Sequence, residues 1–121
     1  MKKRLRKKKR IGEFQEFGFN IGFRFSSKLN IETRDNFIDR FLEKAIERNS
    51  LVFAGAGDCF EWNGFVALDK IRGSAINSHR EVIDQWLIQE SDILEYYVAP
   101  LIDAWYGDFD NIKKEWIKKS V

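Results

Sequence analysis

The stretch Phe17-Gly18-Phe19-Asn20-Ile21-Gly22-Phe23-Arg24-Phe25 alternates large apolar residues with small or polar ones. Because successive side chains of a strand point to opposite faces, this segment places four phenyl rings and an isoleucine on one side. A face with so many large apolar side chains must be buried against other helices or strands. Gly18 and Gly22 leave the other face small, and glycine inside a strand often marks close approach by another group. The stretch therefore predicts a central strand with one buried and one accessible face.

The segments after this strand alternate between helical and extended patterns. An apolar stripe predicts a helix over residues 31–48. Two strands, at residues 51–54 and 59–69, are predicted to form a hairpin around the turn Gly55-Ala56-Gly57-Asp58. A second helix, ending near residue 89, is predicted to begin at a capping box formed by Ser78 and Glu81.

The C-terminal third predicts one more strand and a short helix. Residues 93–106 have a strand pattern, and Pro100 should interrupt it because proline cannot donate to a sheet ladder. Beyond residue 106, apolar side chains recur at helical spacing, namely Phe109, Ile112, Trp116 and Ile117. We therefore predict a short C-terminal helix.

The order of these elements is β-α-β-β-α-β, the split βαβ pattern of ferredoxin-like domains. The predicted fold class is α+β: a four-stranded antiparallel sheet with two helices on one face, plus the short C-terminal helix. The first and third strands would be central. A different α+β sheet, in which the last strand pairs elsewhere, remains the alternative.

The charge of the chain is divided between its first ten residues and the rest. Residues 1–10 carry eight cations and no acid, whereas the other residues hold 13 basic against 19 acidic side chains. A block of like charges is typically an extended arm that binds a partner. We therefore predict a flexible basic arm at residues 1–10, a single α+β domain at residues 11–106 and an extension at residues 107–121.

Composition limits where this protein works. A chain of 121 residues with 44% hydrophobic residues is long enough for its own core. Its apolar runs are too short to span a bilayer, and no signal-peptide pattern follows the basic start. Cys59 is the only cysteine, which fits a reducing compartment. We expect a cytoplasmic protein without a membrane partner.

Signals for catalysis are weak. The single histidine, His79, lies where a helix is predicted to begin, and Cys59 is expected to be a strand residue, so neither indicates a nucleophile–base pair. One His and one Cys cannot build the usual zinc site. The Gly55-Ala56-Gly57 run lacks the Gly-Lys-Ser/Thr ending of a Walker loop. We predict no catalytic residue, no metal, no cofactor and no small-molecule substrate.

A phosphate-handling enzyme is the most distant hypothesis. Acylphosphatases share the predicted element order and have a Gly-x-x-Phe-Arg pattern near the end of their first strand, superficially similar to residues 18–24. Their phosphate loop follows that strand. Here the corresponding residues are Ser26-Ser27-Lys28-Leu29-Asn30, without a glycine-rich run.

The basic arm is the strongest physical signal in the sequence. Its cations can neutralise nucleic-acid phosphates and release counterions, which gives salt-dependent affinity without base specificity. Asn20 and Arg24, on the polar face of the first strand, are weaker candidates, and we favour core positions over base stacking for Trp62 and Trp105. The predicted RNA-binding residues are Lys2, Lys3, Arg4, Arg6, Lys7, Lys8, Lys9, Arg10, Asn20 and Arg24.

Several segments resemble the YggL family of small bacterial proteins that bind the large (50S) ribosomal subunit. The N-terminal blocks are the most specific, and Gly12 and the residues after Gly107 depart from the family's pattern. The resemblance covers about residues 4–106. The matching segments are Arg4-Leu5-Arg6-Lys7-Lys8, Glu13-Phe14-Gln15-Glu16, Gly18-Phe19, Arg24-Phe25, Leu51-Val52-Phe53-Ala54-Gly55-Ala56-Gly57, Trp62-Asn63-Gly64 and Asp103-Ala104-Trp105-Tyr106.

The resemblance implies association with the 50S subunit rather than catalysis. The leading hypothesis is an accessory protein whose arm contacts ribosomal RNA and whose body is seated by the exposed face of the first strand, with ribosomal proteins as further partners. The acidic body suits a particle that presents both RNA and basic protein. The alternative is a protein–protein interaction module whose basic arm docks on an acidic partner.

Overall fold

The computed structural model describes residues 16–69, 73–104 and 114–118. They form a mixed α/β protein with an antiparallel sheet and two helices. The strands are β1 (Phe17–Phe25), β2 (Leu51–Gly57), β3 (Glu61–Leu68), β4 (Ile93–Val98), β5 (Ile102–Asp103) and β6 (Ile117–Lys118). The helices are α1 (Ile31–Arg40) and α2 (Asn77–Gln89).

Strand β1 lies inside the sheet. It pairs with β3 along one side and with β4 and β5 along the other, and all three pairings are antiparallel. The strand order is β2-β3-β1-β4-β6. The sheet thus has six strands in the described residues, so the predicted number of four is wrong.

The apolar side of β1 forms the centre of the core, as its alternation predicts. Phe19, Ile21 and Phe23 are completely buried. The Phe23 ring lies 5.5 Å from Phe37 of α1 and 5.4 Å from Phe41. Such tilted and edge-on aromatic pairs are each worth about 0.5–1.5 kcal/mol beyond the apolar area that they bury. The strand that determines the fold is therefore also the centre of its packing.

Helix α1 begins at an N-cap and ends irregularly. The Asn30 side chain accepts a 2.7 Å hydrogen bond from the backbone N–H of Thr33, which satisfies one of the free donors at the helix start. After Arg40 the chain continues as a π-helical turn, Phe41–Ile46, and a 3-10 turn, Glu47–Asn49. Buried Phe41, Ala45 and Ile46 pack against the sheet, while Ser50 ends the segment at a left-handed φ of 59°.

Helix α2 does not use the predicted capping box of Ser78 and Glu81. It begins one residue before Ser78, and Nδ1 of His79 accepts a 2.9 Å hydrogen bond from the backbone N–H of Ile76. This contact satisfies a donor at the helix start, so His79 is a capping residue. Ile83 and Leu87 then join the same core as β1 and the first helix.

Two further expectations need correction. Gly55, Ala56 and Gly57 belong to β2 and pair with Gly64, Asn63 and Trp62, so the predicted turn is displaced to residues 58–60. Ile117 is not helical but pairs with Tyr96 in the sheet. Most of the predicted C-terminal helix lies outside the described residues, as do residues 1–15 with the basic arm. The interruption near Pro100 is confirmed, since it separates β4 from β5.

The second face of β1 is less open than its sequence indicates. Gly18 and Gly22 are buried, because the ring of Phe65 covers Gly18 and the ring of Tyr97 covers Gly22. A Cβ at either position would collide with these rings. The close approach that the glycines indicate is therefore made by side chains of the neighbouring strands.

Candidate functional site

The polar face of the sheet, defined here as the side away from the β1 core residues, carries the described candidate residues. The β1 register places Arg24 between Glu61 of β3 and Glu95 of β4. It likewise places Gly22 between Asn63 and Tyr97. Directly opposed residues of antiparallel strands share a face, so these side chains lie together.

Arg24 connects three strands through its guanidinium group. Its Nε donates to Oε1 of Glu61 at 2.8 Å, and its Nη1 donates to Oε2 of Glu95 at 3.0 Å. The guanidinium carbon lies 3.7 Å from the centre of the Trp116 ring, a cation–π distance. The Arg24 side chain remains 38% exposed, so this site is reachable but already has three partners.

The contacts continue from Glu61 toward β4. The second carboxylate oxygen of Glu61 accepts from Nδ2 of Asn63 at 2.8 Å, and Oδ1 of Asn63 accepts from the Tyr97 hydroxyl at 2.9 Å. The Tyr97 and Trp116 rings meet edge to face at 4.8 Å. We call the set Arg24, Glu61, Asn63, Glu95, Tyr97 and Trp116 the Arg24 network.

Titration behaviour follows from these contacts. The hydrogen bond from Arg24 holds the pKa of the Glu61 carboxyl below its ordinary value of 4.5, and the amide of Asn63 acts in the same direction. Hydrogen bonds to Glu61 and Glu95 raise the pKa of Arg24. Burial raises the pKa of Tyr97, with a further contribution from the negative charge of Glu61. The network thus places the Arg24 guanidinium group between the carboxyl groups of Glu61 and Glu95.

Asn20 differs from Arg24 in having an unused acceptor. Its backbone carbonyl accepts from the N–H of Ala99 at 2.8 Å, but its side-chain Oδ1 is buried without a hydrogen-bond donor among the described residues. A buried acceptor without a partner is destabilising by about 1–3 kcal/mol.

Two backbone amides of the loop between β1 and α1 donate to backbone carbonyls of other segments. The N–H of Ser26 donates to the carbonyl of Asp92 at 2.8 Å, and the N–H of Leu29 donates to the carbonyl of Cys59 at 3.2 Å. Two amides that a phosphate loop could use are therefore occupied by backbone acceptors. Together with the paired Arg24, this arrangement disfavours the acylphosphatase hypothesis.

The other chemical candidates also have structural surroundings. Cys59 is half-buried in the turn between β2 and β3, and His79 accepts a helix-capping hydrogen bond. Within the described residues, no three His, Cys, Asp or Glu side chains are grouped so that they could hold a metal ion.

The predicted site residues fall into three groups. The eight arm cations and Trp105 lie outside the described residues. Trp62 packs against the edge of the core and donates from Nε1 to the Asp58 carbonyl at 2.9 Å, in line with the core position that we favoured. Asn20 and Arg24 share the polar face of β1, and their roles as RNA contacts remain predictions.

Sequence reasoning missed most of the Arg24 network. The alternation of β3 and β4 could have placed Glu61, Asn63 and Glu95 on one face, but not opposite Arg24, because that requires the strand register. The sequence predicted a helix around Trp116, because its spacing from neighbouring apolar residues is typical of a helix. It gave no indication that Trp116 packs on Arg24 and Tyr97.

Together these features define a small mixed α/β protein with a phenylalanine-rich core and a polar sheet face crossed by paired charges. In the part of the chain that the structure describes, no helix is long and apolar enough to cross a membrane. The chain belongs to the YggL family: the family model described as YggL 50S ribosome-binding protein matches residues 3–106.

A relative that matches over most of its own length supports this assignment. The chain is 40% identical over 103 residues to an uncharacterized protein of Haemophilus influenzae (strain ATCC 51907 / DSM 11121 / KW20 / Rd). The match covers 85% of this chain and 88% of the relative. No solved structure matches the chain significantly.

Proposed function

We propose that this protein is a cytoplasmic, non-enzymatic accessory protein that binds the large (50S) ribosomal subunit. The observation that carries the proposal is the match over residues 3–106 to a family described as 50S ribosome-binding. The matched range includes seven of the eight arm cations, from Lys3 to Arg10. The proposed arm therefore lies almost entirely within the matched range.

The arm contacts ribosomal RNA through phosphates in this proposal. Dense cationic charge binds a polyanion by displacing condensed counterions, which requires no base sequence. The remaining residues carry more acids than bases, so the body would be repelled by bare phosphate and gains nothing from coating RNA. Arg4, Arg6, Lys7, Lys8 and Arg10 are the proposed central contacts, with Lys2, Lys3 and Lys9 beside them.

The test is co-sedimentation with 50S subunits at increasing salt. A full-length variant with Arg4, Arg6, Lys7 and Lys8 changed to Gln should bind more weakly and with a shallower log–log salt dependence. If each residue engages one phosphate, the slope should fall by roughly 3 for the four contacts.

A matched control changes four exposed cations outside the arm to Gln, namely Lys28, Lys44, Arg48 and Lys114. This variant loses the same charge but leaves the arm intact, so its salt slope should stay near that of the wild type. Equal losses of affinity and of salt slope in both variants would mean that net charge alone determines binding. The arm would then have no specific role. Absence of wild-type binding would refute the proposed function itself.

The polar face of β1 would seat the body on the subunit. Asn20 offers its unused buried acceptor, and Arg24 offers the exposed part of a guanidinium group that two carboxylates already neutralise. Of these two side chains, Asn20 would gain more from a hydrogen-bonding partner, because its Oδ1 has no donor among the described residues. A donor such as a ribose 2′-hydroxyl or a base amino group would satisfy its Oδ1.

Asn20→Ala separates binding from folding. Because the buried Oδ1 has no described donor and is destabilising, removing it should raise the urea midpoint, while affinity for 50S subunits falls severalfold. Ser27→Ala, in the exposed turn after β1, is the control and should alter neither quantity. Unchanged 50S affinity of the Asn20 variant would remove this residue from the interface.

Docking of the arm on an acidic protein is the competing explanation. Binding to the ribosomal particle should be lost after ribonuclease treatment if the arm contacts RNA. A partner that stays bound after complete RNA digestion would favour the alternative.

We infer that β2, β3, β1 and β4, with α1 and α2, are a ferredoxin-like core to which β5 and β6 are added. The order of these four strands supports this reading. The proposed organisation is an arm at residues 1–10, a domain at residues 11–106 and an extension at residues 107–121 whose Ile117 and Lys118 pair with β4.

A further inference from the structure

Strand β2 lies at the end of the sheet order, so among the described residues it has a strand neighbour on one side only. The hydrogen bonds flanking the β2–β3 ladder show which backbone groups face outward. The N–H of Asp69 donates to the carbonyl of Ser50 at 2.8 Å, and the N–H of Asp58 donates to the carbonyl of Glu61 at 3.1 Å.

Antiparallel ladders alternate between hydrogen-bonded and non-bonded pairs. With Ser50 and Asp58 in bonded pairs, the same register makes Val52, Ala54 and Ala56 bond to β3. The remaining β2 residues then point their N–H and C=O groups away from the sheet. We call this outer side the β2 edge; its outward residues are Leu51, Phe53, Gly55 and Gly57.

The β2 edge lacks the charged residues, the proline and the bulge that often block strand addition. Edge strands usually carry charged residues, proline or a bulge, because unpaired backbone groups recruit other strands. The sequence from Leu51 to Gly57 contains no charged residue and no proline, and its pairing with β3 runs without a register shift. Val52, Ala54 and Ala56 also expose small apolar side chains on the polar face.

One end of this edge is acidic. Gly57 and Trp62 line a groove together with Arg34, Ile38 and two carboxylates, Asp35 and Asp39. Arg34 is already paired with Asp35 at 3.0 Å. Asp58 follows Gly57 directly, and hydrogen bonds from the amides of Phe60 and Glu61 lower the pKa of its carboxyl, which stabilises the anion. Asp39 and Asp58 thus leave a net negative charge beside the outward amides.

We propose that the β2 edge binds an extended lysine- or arginine-rich protein segment as an added strand. The backbone pairing supplies affinity, as in other β-strand additions, and the carboxylates near Gly57 select cationic side chains. This inference deepens the proposed function: on the ribosome, the added strand comes from a basic protein of the large subunit.

The direct test uses a synthetic peptide in which Lys and Val alternate over eight residues. Amide hydrogen exchange, followed by NMR, should show new protection at Leu51, Phe53, Gly55 and Gly57. The amides of Val52, Ala54 and Ala56 should be protected with or without peptide. A peptide alternating Glu and Val should give no protection.

Three results would overturn the proposal. The first is equal protection by the Lys and Glu peptides, and the second is protection of the odd positions without peptide. The third is protection that grows with protein concentration alone, since this would mean that the edge pairs with a second copy of the chain.

Asp39→Lys tests the charge requirement. Asp39 is exposed on α1 and takes no part in the core, so the variant should fold normally and bind the Lys-Val peptide roughly fivefold more weakly. Glu81→Lys makes the same charge change on α2, which packs against β4 rather than β2, and should leave binding unchanged. Equal weakening in both variants would argue against a local acidic site.

Exchange measured by mass spectrometry on 50S-bound full-length protein separates this inference from the proposed function. Added protection in residues 51–57 is the expected result. Subunit binding without that protection would overturn the inference and leave 50S binding intact. Failure to bind the subunit would refute the proposed function. The peptide experiment would still show whether the β2 edge binds a basic segment as an added strand.

Discussion

Arg24 connects residues that are far apart in the chain. Its two carboxylate partners are 37 and 71 positions away, so one side chain holds β1, β3 and β4 together on the polar face. Exposed ion pairs contribute little individually. Here, however, the guanidinium group is shared by two acids and covered by an indole ring, and its loss would leave two carboxylates facing each other.

Arg24→Gln should lower stability at pH 7 and raise the pKa of Glu61 toward 4.5. Because Arg24 lowers the pKa of Glu61 in the folded state, the associated stability is present above pH about 4.5 and is lost as pH falls through the folded pKa. The difference between variant and wild type should therefore shrink in acid. Urea unfolding at pH 7 and pH 3, with an NMR titration of the Glu61 carboxyl carbon, measures both effects.

Arg34→Gln is the control for this prediction. Arg34 pairs with its sequence neighbour Asp35, whose side chain is 59% exposed, so little stability should be lost at either pH. An unchanged pKa of Glu61 in the Arg24 variant would contradict the proposed cause of its shift.

Tyr96 should ionise with a pKa of about 12, because burial, and secondarily its hydrogen bond with Asp84, favour the neutral phenol. The folded pKa lies above the ordinary value of 10.0, so the associated stability is complete below pH 10 and is lost as pH rises toward 12. Absorbance titration of tyrosinate should show this late step, and Tyr96→Phe should remove it. Titration of Tyr96 near pH 10 in the folded protein would contradict its burial.

At the scale of elements, Ser50 stands where the segment after α1 turns into β2. Its φ of 59° is in the left-handed region, which is unfavourable for residues other than glycine. Ser50→Gly should remove this strain, partly offset by the greater freedom of glycine in the unfolded chain, and should stabilise the protein by about 0.5 kcal/mol. Thermal or urea unfolding measures the gain.

Ser27→Gly provides the comparison. Ser27 has no positive φ, so glycine brings only its entropic disadvantage there, and stability should fall slightly. If both substitutions destabilised the protein equally, the backbone conformation of Ser50 would have no energetic consequence.

The elements show why some structure could be predicted and some could not. The alternation of β1 identified its buried face correctly, because burial of Phe19, Ile21 and Phe23 depends on local periodicity. The extension of β2 through Gly55 was missed because glycine usually indicates a turn. Here the ring of Phe53 lies over Gly55 and Gly64 and covers their bare backbone, a contact that becomes visible only with the register.

At the scale of the whole molecule, two described residues near the C-terminus, Ile117 and Lys118, belong to the sheet. Trp116 packs on Tyr97 and Arg24, and Ile117 and Lys118 pair with β4. Sequence spacing predicted a helix here because such spacing reports local periodicity only. The partners of Trp116 are about twenty and ninety residues earlier in the chain, which no local pattern can reveal.

Trp116→Ala should lower the free energy of unfolding by about 1 kcal/mol through loss of the aromatic pair with Tyr97. The change should also increase the exposure of the Arg24 network. Urea unfolding measures the loss, and Ile117→Ala, at a side chain 46% exposed, should have a smaller effect. Equal stability of wild type and the Trp116 variant would show that the extension contributes nothing to the sheet.

The placement of β1 has a consequence for how this protein is made. β1 occurs early in the chain, yet its neighbour β4 spans Ile93–Val98, and β4 in turn pairs with Ile117 and Lys118. During translation, β1 and its phenylalanines emerge long before either partner on that side exists. These pairings can form only once residues 93–118 have left the exit tunnel, and pairings of such long sequence separation form slowly. Until then, the nascent chain would expose the apolar face of β1 to the chaperones that bind at the exit of the ribosomal tunnel.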